Sequence, residues 1–135
     1  MFVADKAREL NENKSVIGLR TAINILEKWG ASVTQTSSVL RISASTFASV
    51  ESKEDTDWST SFDADVIQRI SLVLNIHSAL RSIFDNPDNV YGFAGMRNDN
   101  HFFNGRSPLE VMAQGDLVSL HETFRCIDSL RHTIH

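Results

Sequence analysis

Side chains able to do chemistry are scattered along this chain rather than gathered. Five histidines are present, His77, His101, His121, His132 and His135, and only the last two are close enough to share one helical face. A zinc site needs three or four ligands at set spacing, and no third ligand or carboxylate accompanies that pair. Cys126 is the single cysteine. A thiol nucleophile needs an activating base, and none can be named. Cys126 lies one place before the inward-facing Ile127, where a small buried thiol is expected. No phosphate loop, Ser–His–Asp arrangement or metal-ligand cluster stands out, so an enzyme is the poorest fit and no cofactor or metal is expected.

Recognition residues are easier to find. Asn100, Asn104, Gly105 and Arg106 cluster in a polar stretch, and an arginine there suits forked pairing with a carboxylate. A plainer reading has Asn104 and Gly105 building a turn while Arg106 lies over the following helix. Arg131, near the end of the chain, belongs either to a flexible tail or to a contact surface. Arg41, Ser45, Thr46, Ser49 and Lys53 form a second candidate group, this one for duplex DNA. The competing reading of that group is a dimerisation scaffold without a reading face. Residues 33–58 carry Arg41 and Lys53 against Glu51, Glu54, Asp55 and Asp57, a net −2. Duplex affinity rests heavily on neutralised phosphates, so this is a poor electrostatic footprint.

These residues need elements to hold them, and helical spacing supplies them throughout. Residues 1–14 form a polar lead-in with Val3, Ala7 and Leu10 loosely spaced as a short helix or arm. Leu19, Ile23, Leu26 and Trp29 predict an amphipathic helix that stops at Gly30. Thr34 or Thr36 is expected to open a short helix carrying Val39 and Leu40. The turn at 40–43 then leads to a second short helix, capped by Ser43, running from Ala44 to about Ser52. Two short helices joined by a tight turn are the helix-turn-helix layout. An acidic loop follows, with Trp58 folded back onto the body.

Asp63 is expected to cap a strong helix with Val66, Ile67, Ile70, Val73 and Leu74 as its stripe. Ile76, Leu80, Ile83 and Phe84 extend it, with a slight break near Asn75. Asn86-Pro87 ends that segment. Val90, Tyr91, Phe93 and Met96 suggest a weak helix interrupted by Gly92 and Gly95. Ser107, Pro108 and Glu110 then predict a capping box at the start of a short helix that Gly115 stops. Phe102 and Phe103 are expected in the core. Asp116 opens a last helix, with Leu117, Leu120, Phe124, Ile127, Leu130 and Ile134 inward. No long period-two segment exists, so the fold class is all-α. Three parts are expected: an arm at 1–14, a helix-turn-helix-like part at 15–84 and a small helical domain at 85–135.

Composition agrees with a soluble globular chain. It has 135 residues, 41% hydrophobic and 22% charged, with formal net charge −4. One cysteine allows no internal disulfide, no apolar run spans a bilayer and no secretion signal opens the sequence. A cytoplasmic location is the expectation. The acidic balance argues against binding nucleic acid by bulk charge.

Three features in order resemble the Xre/MbcA/ParS antitoxins of bacterial toxin–antitoxin pairs. The first is the degenerate helix-turn-helix. The second is the stretch from Gln68 to Phe84, which is close to that family's R-I-S-x-L-L-G-I-x-x-A-L-R-x-L-F helix. The third is Phe103 to Gly115, which matches its G-[RK]-[ST]-P-L-[ED] corner and following glycine. The resemblance spans about residues 16–132. It implies a dimer-forming antitoxin without enzymatic activity that blocks a RES-domain, NAD-consuming toxin through its C-terminal domain and represses its own operon. On that reading Asn100, Asn104, Gly105, Arg106 and Arg131 are the candidates for facing the toxin, and Arg41, Ser45, Thr46, Ser49 and Lys53 the candidates for operator DNA. Two departures stand out. Arg41 occupies the turn position that usually holds Gly, and Phe93 replaces a Trp. The alternative is a helix-turn-helix transcription regulator with no toxin partner.

Overall fold

The local signals for starting and stopping helices explain most of the architecture. The computed structural model describes residues 16–51 and 62–134. The expected arm at 1–14, Lys53 and Trp58 lie outside these residues, as do the side chains of His132, Ile134 and His135. The described residues are all-α: no strand occurs among them. No helix there is long and apolar enough to cross a membrane.

Helix α1 (residues 16–28) buries Leu19, Ile23 and Leu26 almost completely, with Trp29 just beyond its end. It stops as Gly30 enters the left-handed region at φ 94°. The Ala31 N–H donates to the Leu26 carbonyl and the Gly30 N–H to Glu27, the paired bonds of a Schellman ending. Helix α2 (Val33–Leu40) opens on Ser32, not on Thr34 or Thr36 as expected. Ser32 Oγ accepts from Gln35 N–H while Gln35 Oε1 accepts from Ser32 N–H, a complete capping box. Thr36 is instead buried.

Arg41 ends α2 in the left-handed region, φ 55°, a conformation that glycine adopts far more easily. Helix α3 (Ala44–Glu51) follows, and Ser43 Oγ accepts from the Thr46 N–H as its cap. Val50 is buried and Phe47 packs partly against the core.

Helix α4 (Ala64–Ile83) begins at Asp63, whose carboxylate accepts from the Val66 N–H. It runs without the expected break at Asn75, which is simply an exposed position on an unbroken helix. Val66, Ile70, Val73, Ile76 and Leu80 keep one stripe buried on either side of that point. A neutral amide facing water costs a helix little when the stripe is intact. Ile67, expected in the stripe, is exposed at 43%.

Asn86 caps the short α5 (Pro87–Gly92), and a 3₁₀ turn (Phe93–Gly95) follows, so the weak helix expected here is two short pieces. Helix α6 (Pro108–Met112) starts with Pro108 in its first turn. Ser107 Oγ accepts from the Glu110 N–H, but Glu110 is exposed and makes no return bond, so only half of the expected box forms. Pro108, Leu109, Val111 and Met112 are all buried, because α6 is wedged between the 3₁₀ turn and α7.

Helix α7 (Leu117–Ile134) packs along α4 and carries Leu120 and Ile127 into the core. Thr123 stands between them, fully buried, its hydroxyl donating to the Ser119 carbonyl at 2.7 Å. That bond satisfies the buried hydroxyl. Leu117, Phe124 and Leu130 are half-buried at its flanks, and Cys126 is half-buried as well rather than enclosed. One hydrophobic cluster runs from Leu19 in α1 to Ile127 in α7.

Candidate functional site

The polar stretch before α6 folds as a loop tied by its own hydrogen bonds. Asn98 N–H donates to the Arg106 carbonyl and Gly105 N–H to the Asn98 carbonyl, closing the loop at its base. Asn98 Oδ1 accepts from the Asn100 N–H, and Asn100 Oδ1 accepts from the Phe102 N–H, two successive Asx turns. Asn104 and Gly105 both take positive φ, 53° and 82°. Asn tolerates that region because its short side chain is polar and its steric cost small. Phe103 is buried and anchors the loop from within, edge-on to the half-buried Phe102.

Arg106 is half-buried and turned onto its own loop. Its Nε donates to the Phe103 carbonyl at 2.8 Å and a terminal nitrogen donates to Phe102 at 3.0 Å. Two of five guanidinium donors are therefore engaged in holding the turn, which leaves others for an external acceptor. Asn100 and Asn104 are exposed beside it. Sequence reasoning missed Asn98, whose side chain starts the Asx series; the Asn-x-Asn spacing two residues apart was the available signal.

Arg131 lies in the last turns of α7 and pairs with Asp128 at 2.7 Å. Its Nε is enclosed without a hydrogen-bond partner. The structure thus brings Asn100, Asn104, Gly105 and Arg106 together and leaves Arg131 on a separate element.

The second group of residues has a different character. Arg41 pairs with both Asp63 and Asp65. The Val66 N–H, followed by Arg41, holds the Asp63 carboxyl below the ordinary carboxylate range. Ser49 returns its hydroxyl to the Ser45 carbonyl, and the Thr46 hydroxyl lies 3.0 Å from that of Ser43. Ser45 is exposed. The cation that would meet a phosphate is thus already matched by two carboxylates of this chain.

Behind Arg41 lies an interaction that the sequence did not suggest. Arg69 is only 5% exposed, yet it reaches four acceptors. Its Nε faces the Asp65 carboxylate, and one terminal nitrogen reaches the Gly115 carbonyl at 2.7 Å and the Val39 carbonyl at 3.3 Å. The Ser38 carbonyl lies at the edge of reach, 3.5 Å. One buried cation thereby ties the end of α2 and the glycine before α7 to α4.

Elsewhere, burial first and then Glu122 push the Cys126 thiol up, away from reactive thiolate. Among the described residues no three His, Cys, Asp or Glu side chains are grouped to hold a metal.

No family model matches the chain, and no solved structure matches it. The Sinorhizobium fredii protein y4oB, described as uncharacterized, is 34% identical over 68 residues. That match takes in 50% of this chain and 51% of y4oB, so the chain spans about half the length of this relative.

Proposed function

We propose that this chain is the antitoxin of a type II toxin–antitoxin pair, neutralising a RES-domain toxin that consumes NAD. It acts without chemistry of its own, by covering the toxin's active-site entrance. The support is twofold: the residue resemblance described above, and the built character of the loop from Asn98 to Arg106. That loop is closed by its own hydrogen bonds before any partner arrives. A pre-ordered loop loses little entropy on docking, which favours tight association. Asn100 and Asn104 offer amide groups, and the free donors of Arg106 can meet a carboxylate of the toxin. Arg131, on α7 and paired with Asp128, is a second toxin-facing candidate.

Operator binding takes second place in this reading, because Arg41 is occupied by Asp63 and Asp65. A regulator without a toxin partner would need that cation for phosphate. Co-expression with the RES-domain protein encoded beside it tests the proposal. Growth recovers and the two proteins co-elute if it is right. A folded antitoxin that neither restores growth nor binds that toxin overturns it.

A further inference from the structure

The C-terminal end of α4 lies among several positively charged and titratable side chains. Lys28, at the end of α1, holds its Nζ 5.0 Å from the centre of the Tyr91 ring. His77 stacks on the same ring, centroids 5.6 Å apart and planes 24° from parallel. Its Nε2 lies 3.3 Å from the Tyr91 hydroxyl. Arg81 stands one turn further along α4. Arg41, Arg69, Arg125 and Arg131 each have a carboxylate partner. Lys28 and Arg81, like Arg97 and Arg106, have none among the described residues. Partial burial first, and then Arg81 and Lys28, lower the His77 pKa.

Beside this cluster opens a cavity of about 410 Å³ walled by Arg81, Phe84, Asp85, Pro87, Val90 and Tyr91. That volume suits a small organic molecule. Its wall pairs aromatic edges with a fork-shaped cation, while Asp85 supplies one acceptor. A neutral apolar ligand would leave Arg81 unmatched on binding. A bare anion would leave the rings uncovered.

We propose that this cleft binds a small planar molecule bearing a phosphate or carboxylate, its anion held by Arg81 and its ring against Phe84 and Tyr91, with Lys28, over Tyr91 but outside the cavity wall, adding positive charge at a distance. Asp85 takes a hydrogen bond from an N–H or O–H of the ligand. A nucleoside monophosphate carries all of these groups, and an aromatic carboxylate carries the ring and the charge. This site is separate from the loop at Asn98–Arg106, so success or failure of toxin neutralisation leaves it untouched.

Titration of the full chain with adenosine monophosphate, adenosine, inorganic phosphate and benzoate, followed by amide chemical shifts, tests it. Saturable shifts clustered at Arg81, Phe84 and Tyr91 are expected with the monophosphate or with benzoate, which identifies the anion. Adenosine and phosphate alone bind about tenfold more weakly or worse, since each lacks one half of the recognition. Arg81→Gln, exposed and with unchanged thermal unfolding, weakens binding about tenfold. Lys28→Gln gives a smaller loss in the same direction. The proposal falls if none of the four probes gives saturable shifts there, or if binding is indifferent to Arg81→Gln.

Discussion

At the N-terminal end of α4, Asp63 and Asp65 face Arg41, and Asp65 also faces the buried Arg69. At its C-terminal end, Lys28, His77 and Arg81 lie about Tyr91, and among the described residues no carboxylate is ion-paired to either cation. The two ends of one helix therefore treat charge in opposite ways. The first is complete within the chain: its cations are spent on caps, turns and chain crossings. The second leaves attraction over for something else. Cationic side chains thus point to a ligand only where the fold has not already matched them. That distinction separates Arg41, which looked like a DNA contact from its position, from Arg81, which the sequence did not single out.

The sharpest way to break this comparison is to remove Arg69. Arg69→Met leaves the carbonyls of Val39 and Gly115 without that donor and leaves Asp65 to Arg41 alone. Breaking such a buried set costs about 3–5 kcal/mol, read as a lower denaturant midpoint. Arg69→Lys retains the charge but not the fork, so it falls between Met and the parent. A loss under about 1 kcal/mol for Arg69→Met would mean that the N-terminal end is held no more firmly than a surface ion pair.

A cap has a smaller effect. Ser107→Ala removes the acceptor for the Glu110 N–H and is expected to cost about 1 kcal/mol, measured the same way. Because Glu110 makes no return bond, Glu110→Ala should cost clearly less than Ser107→Ala.

The two ends also titrate in separate windows. The folded pKa of His77 lies below its ordinary 6.5. As pH falls past 6.5 the unfolded chain takes up its proton first, so stability declines from that point downward. His77→Gln should flatten this slope in thermal unfolding between neutral and mildly acidic pH. Asp63, lowered from 3.8, acts in the other window. Its contribution is present above 3.8 and is lost only as pH falls below that value.

The smallest effect is expected for Arg41→Gly. Glycine adopts the left-handed turn at φ 55° without strain, while an exposed ion pair adds little to stability. Unfolding should be almost unchanged, and a large fall would show that the pairs to Asp63 and Asp65 hold the turn together.

Much of the helical plan was legible because helix signals are local. Ser43, Asp63, Ser107-Pro108 and Asp116 marked helix starts, and Gly30 and Gly115 marked stops, since a cap involves atoms only two or three residues apart. Ser32 was passed over although its partner Gln35 stood at the right spacing; the two threonines that follow offered the same chemistry. The break expected at Asn75 failed because an exposed polar residue does not interrupt a continuous buried stripe. In the candidate site, Asn104 and Gly105 were legible as a turn. The inward grip of Arg106 on Phe102 and Phe103 was open between two readings until the loop's closure was known.

The sequence by itself determined that this chain is all-α, where most of its helices begin and end, and which stripe of each faces inward, because those properties depend on neighbours within about one helical turn. Only the tertiary structure decided the fate of the charges. Arg69 meets Gly115 across 46 residues and Arg41 meets Asp63 across 22. Lys28 at the end of α1 meets Tyr91 of α5. A charge acts through space rather than along the chain, so which arginine is matched, and which remains available to a partner, is settled only when distant segments are brought together.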